Sequence, residues 1–242
     1  MAQTQEKQDR KKQFLAAVQA VISISPYSKR PVNNKQPGTD HIIEHLLEHC
    51  HHQHYAAKSI IIQQGEMADE LFYIVKGSVA VSLQVHKGSE LVLAYLNAGN
   101  FFGEIGLFNQ YGKRSAAVRT RTACEIAQIN YEKLRSLSSI YPELLSAIAC
   151  QMAMRIRKTN RKVGDIAFTD VLGRTVRTLL DLCKEPDAMT HPQGIQIQIT
   201  RQELGRIVGC SREMVGRTLK SLQEQHLILV KGKSIVIFGN RS

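Results

Sequence analysis

From Tyr55 to about Asn130 the chain is a series of short β-rich runs: Ser59–Ile62, Leu71–Val75, Ser78–Val85, Leu91–Leu96, Ala116–Thr120 and Ala123–Ile129. Gly65, Gly77, Gly88, Gly99 and Gly103 punctuate them. This pattern predicts an antiparallel β-roll or jelly-roll domain, a shell that can hold a small ligand inside. The GEMAD segment, Gly65–Asp69, reads as a loop between strands. From Tyr131 to Phe168 the period changes to that of a helix, with Pro142 suited to a first turn. Leu145, Ile148, Met152, Ile156, Thr159, Val163 and Ile166 form one stripe at steps of three and four. Two readings fit: a long helix paired with its copy in a parallel homodimer, or a helix packed on its own β-domain.

The C-terminal third has a different grammar. Asp170–Lys184 reads as a helix with Val171, Val176, Leu179, Leu180 and Leu182 apolar, and KEPDAMTHPQG, Lys184–Gly194, reads as a surface loop. Thr200-Arg201-Gln202-Glu203 is a capping box opening a short helix with Leu204 and Ile207 inward. Gly209-Cys210 makes a turn, and Ser211 caps a second helix with Val215, Leu219 and Leu222 buried. This is helix-turn-helix spacing, with Arg212, Glu213, Arg217 and Lys220 projecting elsewhere. Arginine can fork to guanine O6 and N7, and glutamate can accept from cytosine N4. The alternative is a solvated basic helix. Leu227–Val230, the basic turn Lys231-Gly232-Lys233 and Ser234–Phe238 read as a hairpin, the wing of a winged helix. The expected fold class is α+β. Residues 1–39 form an N-terminal extension, flexible in expectation; 40–140 form the β-roll. Residues 141–169 form a dimerisation helix and hinge, and 170–242 the winged helix-turn-helix domain.

One stretch, Phe102–Ser115 (FGEIGLFNQYGKRS), carries ligand chemistry. Gly103 and Gly106 let backbone approach a ligand closely. Glu104 can accept a hydrogen bond from a ribose hydroxyl. Arg114-Ser115 offers a guanidinium fork and a hydroxyl, a grip for phosphate. Together they imply a nucleotide with one phosphate close to the sugar; the same residues would also make a surface turn with a charge pair.

The net charge of +11 favours phosphate polymers or anionic membranes as partners. No apolar run approaches the roughly 20 residues needed to span a bilayer. Near the N-terminus, basic Lys7–Lys12 precedes apolar Phe14–Ile24, but Gln19 interrupts the run and no A-x-A site follows, so a cytoplasmic extension is expected. The five cysteines, Cys50, Cys124, Cys150, Cys183 and Cys210, contain no C-x-x-C, which fits a reducing compartment. His41–Cys50 reads as a helix with His41, His45 and His49 at steps of four, followed by His51, His52 and His54. No cysteine or carboxylate completes a ligand set, so no metal is expected. No nucleophile–base constellation points to an enzyme.

Two motifs carry a family resemblance: G-E-I-G-L-F at Gly103–Phe108 with Arg114-Ser115, and I-V-G-C-S-R-E-M-V-G-R at Ile207–Arg217. They resemble the cyclic-AMP receptor (catabolite activator) family of bacterial transcription factors, over roughly residues 40–240. The resemblance implies cyclic AMP as allosteric ligand, held by Gly103, Glu104, Ile105, Gly106, Arg114 and Ser115, the last two on the cyclic phosphate. It implies that Thr159 bonds the adenine. Asn160, where the family usually has Ser, would reach the nucleotide of the other subunit. A second nucleotide site near the hinge would use Glu90, Gln202 and Arg212, with Ser89 in place of a usual Lys. Arg212, Glu213 and Arg217 align with base-reading residues, and Arg201 and Gln202 with contacts to the DNA backbone; Ser211 and Lys220 complete the set. Met214 stands where several relatives have Thr. Asp187, Ala188, Met189, Thr190, His191 and Gly194 match the loop that contacts RNA polymerase, and His51 aligns with a second polymerase patch.

The implied protein is a cytoplasmic homodimer, not an enzyme and not membrane-bound. Activated by cyclic AMP, it would read palindromic double-stranded DNA of the TGTGA type and contact RNA polymerase. Alternatives are the same architecture responding to cyclic di-GMP or to no nucleotide, and a cyclic-nucleotide-binding regulatory subunit acting on a protein partner.

Overall fold

The computed structural model describes residues 40–85, 89–109 and 112–238. The expected extension over 1–39 and the turn at Gly88 lie outside them. Contacts divide the chain into two compact units, with the boundary between Arg161 and Lys162.

In chain order the first unit begins with α1 (Asp40–Glu48), β1 (His51–Tyr55), β2 (Ile60–Ile62), β3 (Glu70–Lys76), β4 (Ser78–Val85) and β5 (Ser89–Asn97). Next come β6 (Phe101–Phe102), α2 (Ile105–Phe108), β7 (Ala117–Thr120), β8 (Cys124–Asn130) and α3 (Tyr131–Ile140). The unit boundary falls within α4 (Glu143–Phe168). Two antiparallel four-stranded sheets result, ordered β1-β8-β3-β6 and β2-β7-β4-β5.

Strand β3 explains the layering. Successive strand side chains point to opposite faces, and both faces of ELFYIVK are apolar. Phe72 and Ile74 join Ile62, Val79, Leu96, Phe102, Val118 and Ile126 in a core drawn from both sheets. Leu71 and Tyr73 face the other way, into a second core with Ile42, Leu46, Phe101, Leu134, Leu144 and Ile148 from the helices and β6. The first sheet is therefore sandwiched, and Phe101-Phe102 sends one ring to each side. That alternation also places the stretch after Phe102 at the sheet edge.

The predicted strands all form, with bounds shifted by a residue or two. The histidine-rich β1 and the two-residue β6 were not expected. β1 pairs along its whole length with β8, His51 opposite Gln128 through Tyr55 opposite Cys124. The helical region splits at Tyr141-Pro142 into α3 and α4. Asn130 caps α3 by accepting from the Glu132 amide at 2.8 Å.

The second unit holds α5 (Val171–Leu182), β9 (Met189–His191), β10 (Gly194–Gln198), α6 (Arg201–Val208), α7 (Arg212–Glu224), β11 (Ile228–Lys231) and β12 (Ser234–Phe238). The strands form one antiparallel sheet, β11-β12-β10-β9. Leu179, Leu204, Val215, Leu219, Leu222, Ile228, Ile235 and Ile237 fill its core. Lys184–Gly194 is not wholly a loop: Met189–His191 pairs with β10, His191 opposite Gly194, in a hairpin. Pro192 at its turn leaves that pairing intact, because a turn position needs no ladder donor.

The stripe on α4 divides. Leu144 and Ile148 are buried, and Leu145 and Met152 pack against the same core, so the N-terminal turns cover the β-domain. Ile156, Val163 and Ile166 are exposed. The reading of a helix packed on its own β-domain thus holds for the N-terminal turns of α4.

Candidate functional site

Arg114 is the centre of the first site. Its side chain is buried, and Nη1 donates to the carbonyls of Glu70 (2.9 Å) and Gly103 (3.2 Å) and to the Tyr131 hydroxyl (3.2 Å). The guanidinium carbon stands 5.3 Å from the centre of the Phe72 ring. Its backbone is clamped by the 65–69 loop: Gly65 N–H donates to Arg114 O, and Arg114 N–H to Glu66 O, each at 2.8 Å. Asp69 places a carboxylate oxygen 3.9 Å from Nη2. The segment expected as a plain connection is thus the frame that aims the arginine. Ser115, next in sequence, is exposed beside it.

Gly103 has a φ of +80°, the left-handed region that glycine adopts without strain. Its carbonyl also accepts from the Tyr131 hydroxyl at 2.5 Å. Burial pushes the Tyr131 phenol above its ordinary range, with Glu104 and Asp69 adding to the rise and Arg114 opposing it, so the phenol keeps its donor proton. Glu104 is buried at the start of α2 yet does not cap that helix. It accepts instead from Nη1 of Arg155 at 2.8 Å. Ile105 is exposed and Gly106 half-buried in α2.

Tyr131, Gln151 and Arg155 belong to this site without any mark in the motif. Arg155 also donates through Nη2 to the Phe101 carbonyl. Gln151 is buried; its Oε1 accepts from Phe101 N–H at 2.9 Å, and its Nε2 donates to Gly99 O at 3.0 Å. A signal existed: Gln151 and Arg155 precede Thr159, the polar member of the stripe, at steps of four, which puts the three on one helix face. Thr159 and Asn160 are exposed. The structure therefore brings together Gly103, Glu104, Gly106 and Arg114, with Ser115 adjoining, and places Thr159 one turn of α4 beyond Arg155.

The second site is α6–α7. Thr200 Oγ1 accepts from Glu203 N–H at 3.1 Å, and Ser211 Oγ from Met214 N–H at 3.2 Å, so both predicted caps are made. Gly209 ends α6 with a φ of +75°. These three residues set the turn, and the buried faces of both helices then leave Arg201, Gln202, Ser211, Arg212, Glu213, Met214, Arg217 and Lys220 exposed. Hydrogen bonds from its own amide and from Ser211 hold the Glu213 carboxyl below the usual carboxylate range; Arg212 and Arg217 add to this. An ionised acceptor flanked by arginine forks at a helix N-terminus can read base edges in a major groove. Lys231 and Ser234 pair across the wing turn.

Among the other expected residues, Glu90 lies on β5, and Asp187 and Ala188 lead into β9, which holds Met189, Thr190 and His191; Gly194 opens β10. Asp187, Met189 and Thr190 are exposed. All five cysteines are free thiols. Among the described residues no group of three His, Cys, Asp or Glu side chains is placed to hold a metal ion, and no helix is long and apolar enough to cross a membrane.

Known proteins match both units. Residues 52–141 match the cyclic nucleotide-binding domain, and residues 173–238 the Crp-like helix-turn-helix domain. The cAMP-activated global transcriptional regulator Vfr of Pseudomonas aeruginosa is 58% identical over 202 residues, spanning 82% of this chain and 94% of its own length. The cAMP-activated global transcriptional regulator CRP of Escherichia coli is 55% identical over 206 residues, 85% of this chain and 98% of that protein. Among solved structures, the c-di-GMP-responsive global regulator CLP of Xanthomonas campestris is 46% identical, with a TM-score of 0.78 over 82% of this chain and 98% of that one.

Proposed function

The chain belongs to the family of transcription regulators that join a cyclic nucleotide-binding domain to a Crp-like helix-turn-helix domain, and from that premise we propose that it is a cyclic-AMP-dependent DNA-binding transcription regulator. The observation that carries this reading is the convergence on Gly103 of a buried arginine and a buried carboxylate. Arg114 is aimed by the 65–69 loop, and Glu104 is held by Arg155. In the bound state Arg114 and Ser115 take the cyclic phosphate, Glu104 and the backbone at Gly103–Gly106 take the ribose, and Thr159 takes the base. The ligand acts as an effector, and no catalytic step is assigned to the protein.

The exposed apolar residues Ile156, Val163 and Ile166 support a second copy as the partner of α4, so that Asn160 meets the nucleotide bound by the other subunit. A dimer with two exposed α7 helices reads a palindrome of TGTGA-type half-sites one helical turn apart. The hairpin at Asp187–Gly194 is one surface for RNA polymerase, His51 belongs to a separate patch for it, and the protein acts in the cytoplasm.

Removing Glu213 tests base readout. Glu213→Ala is expected to relax discrimination at one base pair of the half-site by about 1–3 kcal/mol, measured by competition with single-substituted operators. Unaltered preference at every position would exclude base reading by this side chain.

One similarity favours a second ligand, because the CLP relative is c-di-GMP-responsive. Asn160, in place of the usual Ser, sits where selectivity would change. Calorimetric titration with cyclic AMP and separately with cyclic di-GMP decides between them. Saturable binding of cyclic AMP alone is the expected result; binding of cyclic di-GMP alone transfers the reading to that ligand.

A further inference from the structure

We infer that Gln151 is the positioning residue of the ribose subsite: through Phe101, Gly99 and Arg155 its amide fixes the register of α4 against the strand that leads into Glu104. This rests on the reading of Gly103–Ser115 as a cyclic nucleotide site.

Strand β6 lies at the edge of its sheet, paired only with β3. An edge strand leaves backbone groups that must find other partners when buried. Here side chains of α4 supply them. Gln151 Oε1 accepts from Phe101 N–H at 2.9 Å, Gln151 Nε2 donates to Gly99 O at 3.0 Å, and Arg155 Nη2 donates to Phe101 O. Two residues one helical turn apart thus mimic a neighbouring strand, engaging both backbone groups of Phe101. They also touch each other, Arg155 Nη2 lying 3.4 Å from Gln151 Oε1. With that end of the guanidinium fixed, Nη1 is left for Glu104 at 2.8 Å.

Phe101 and Glu104 are three residues apart, so a slide or rotation of α4 that breaks the Gln151 splice displaces the ribose acceptor. Gln151 is 7% exposed, so its amide makes these bonds largely away from water. An apolar residue in its place leaves Phe101 N–H and Gly99 O unpaired. A glutamate keeps one acceptor for Phe101 N–H but turns its second oxygen toward Gly99 O and competes with Glu104 for Arg155.

The test compares cyclic AMP with 2′-deoxy cyclic AMP by calorimetric titration of the full chain and of Gln151→Leu and Gln151→Glu, each checked for folding by thermal melting. In the wild type, loss of the 2′-hydroxyl is expected to weaken binding about tenfold or more, the size of a hydrogen bond to a charged acceptor. In both variants that ratio is expected to fall to within about threefold, while cyclic AMP still binds through Arg114. A wild-type ratio preserved in a folded variant overturns the positioning role, because general loosening weakens both nucleotides alike. A wild-type chain that binds neither nucleotide overturns the ligand reading, and the role of Gln151 with it.

Discussion

Replacing Arg114 by alanine is expected to abolish nucleotide binding and to destabilise the first unit at the same time. The binding loss should reach about 100-fold or more, because a charge-assisted, two-pronged phosphate contact disappears from a buried site. The stability loss follows from the bonds that the arginine makes within the protein. Nη1 serves Glu70 O, Gly103 O and the Tyr131 hydroxyl, and the guanidinium lies over Phe72. Truncation removes the donor to Glu70 O, leaves Gly103 O with the Tyr131 hydroxyl alone, and opens a cavity, a cost of about 2–4 kcal/mol. Arg114→Lys separates the two effects: it keeps the charge but not the planar fork, so the fold should recover more than the affinity. Denaturant unfolding and nucleotide titration on both variants are the measurements. Unchanged affinity in Arg114→Ala would remove the phosphate role.

Gly103→Ala is expected to have the second largest effect, and to act on Arg114 from the opposite side. A φ of +80° costs an L-residue about 1–2 kcal/mol before any contact is considered. A Cβ at that position would also lie 2.8 Å from Arg114 Nη1, 3.1 Å from the Phe72 ring and 3.2 Å from Glu70 O. The arginine end is the mobile member of the three and yields first, which takes it out of the phosphate position. The combined expectation is a loss of about 2–3 kcal/mol in stability and at least about tenfold in nucleotide affinity. Unfolding and titration of the variant read both; a stability change below about 0.5 kcal/mol with affinity retained would contradict the close packing around Gly103.

These variants also show where sequence and structure part. The β-roll was legible because its strands are short, apolar and separated by glycines; that ELFYIVK serves two cores shows only in the structure. The helix-turn-helix was legible because Thr200, Gly209 and Ser211 carry local chemistry that needs no tertiary context: two caps and a left-handed residue. Strand β1 was hidden because its residues, HHQHY, lack the apolar alternation of a half-buried strand. It forms because β8 offers an edge for it to pair with along its full length. The hairpin at Met189–His191 was hidden for a related reason, since Pro192 reads as a loop signal while standing harmlessly in a turn.

Of the nucleotide site, the residues that would touch the ligand were readable, and those that hold them were not. Gly103, Glu104 and Arg114 carry their chemistry within one short segment. Tyr131, Gln151 and Arg155 act through bonds to residues 17 to 54 positions away in sequence, to the backbone at 99–103 and to side chains, and no local pattern encodes such partners. The GEMAD loop likewise gains its meaning only when its backbone closes on Arg114.

The most direct test of the account is fluorescence anisotropy of a labelled TGTGA-type palindrome titrated with the protein at one fixed salt concentration, with and without cyclic AMP. Tight binding only in the presence of cyclic AMP is the predicted result, since it requires the nucleotide site, the reading helix α7 and the coupling between them. Equal binding in both conditions would contradict the claim that cyclic AMP controls this chain, even with α7 shown to read DNA.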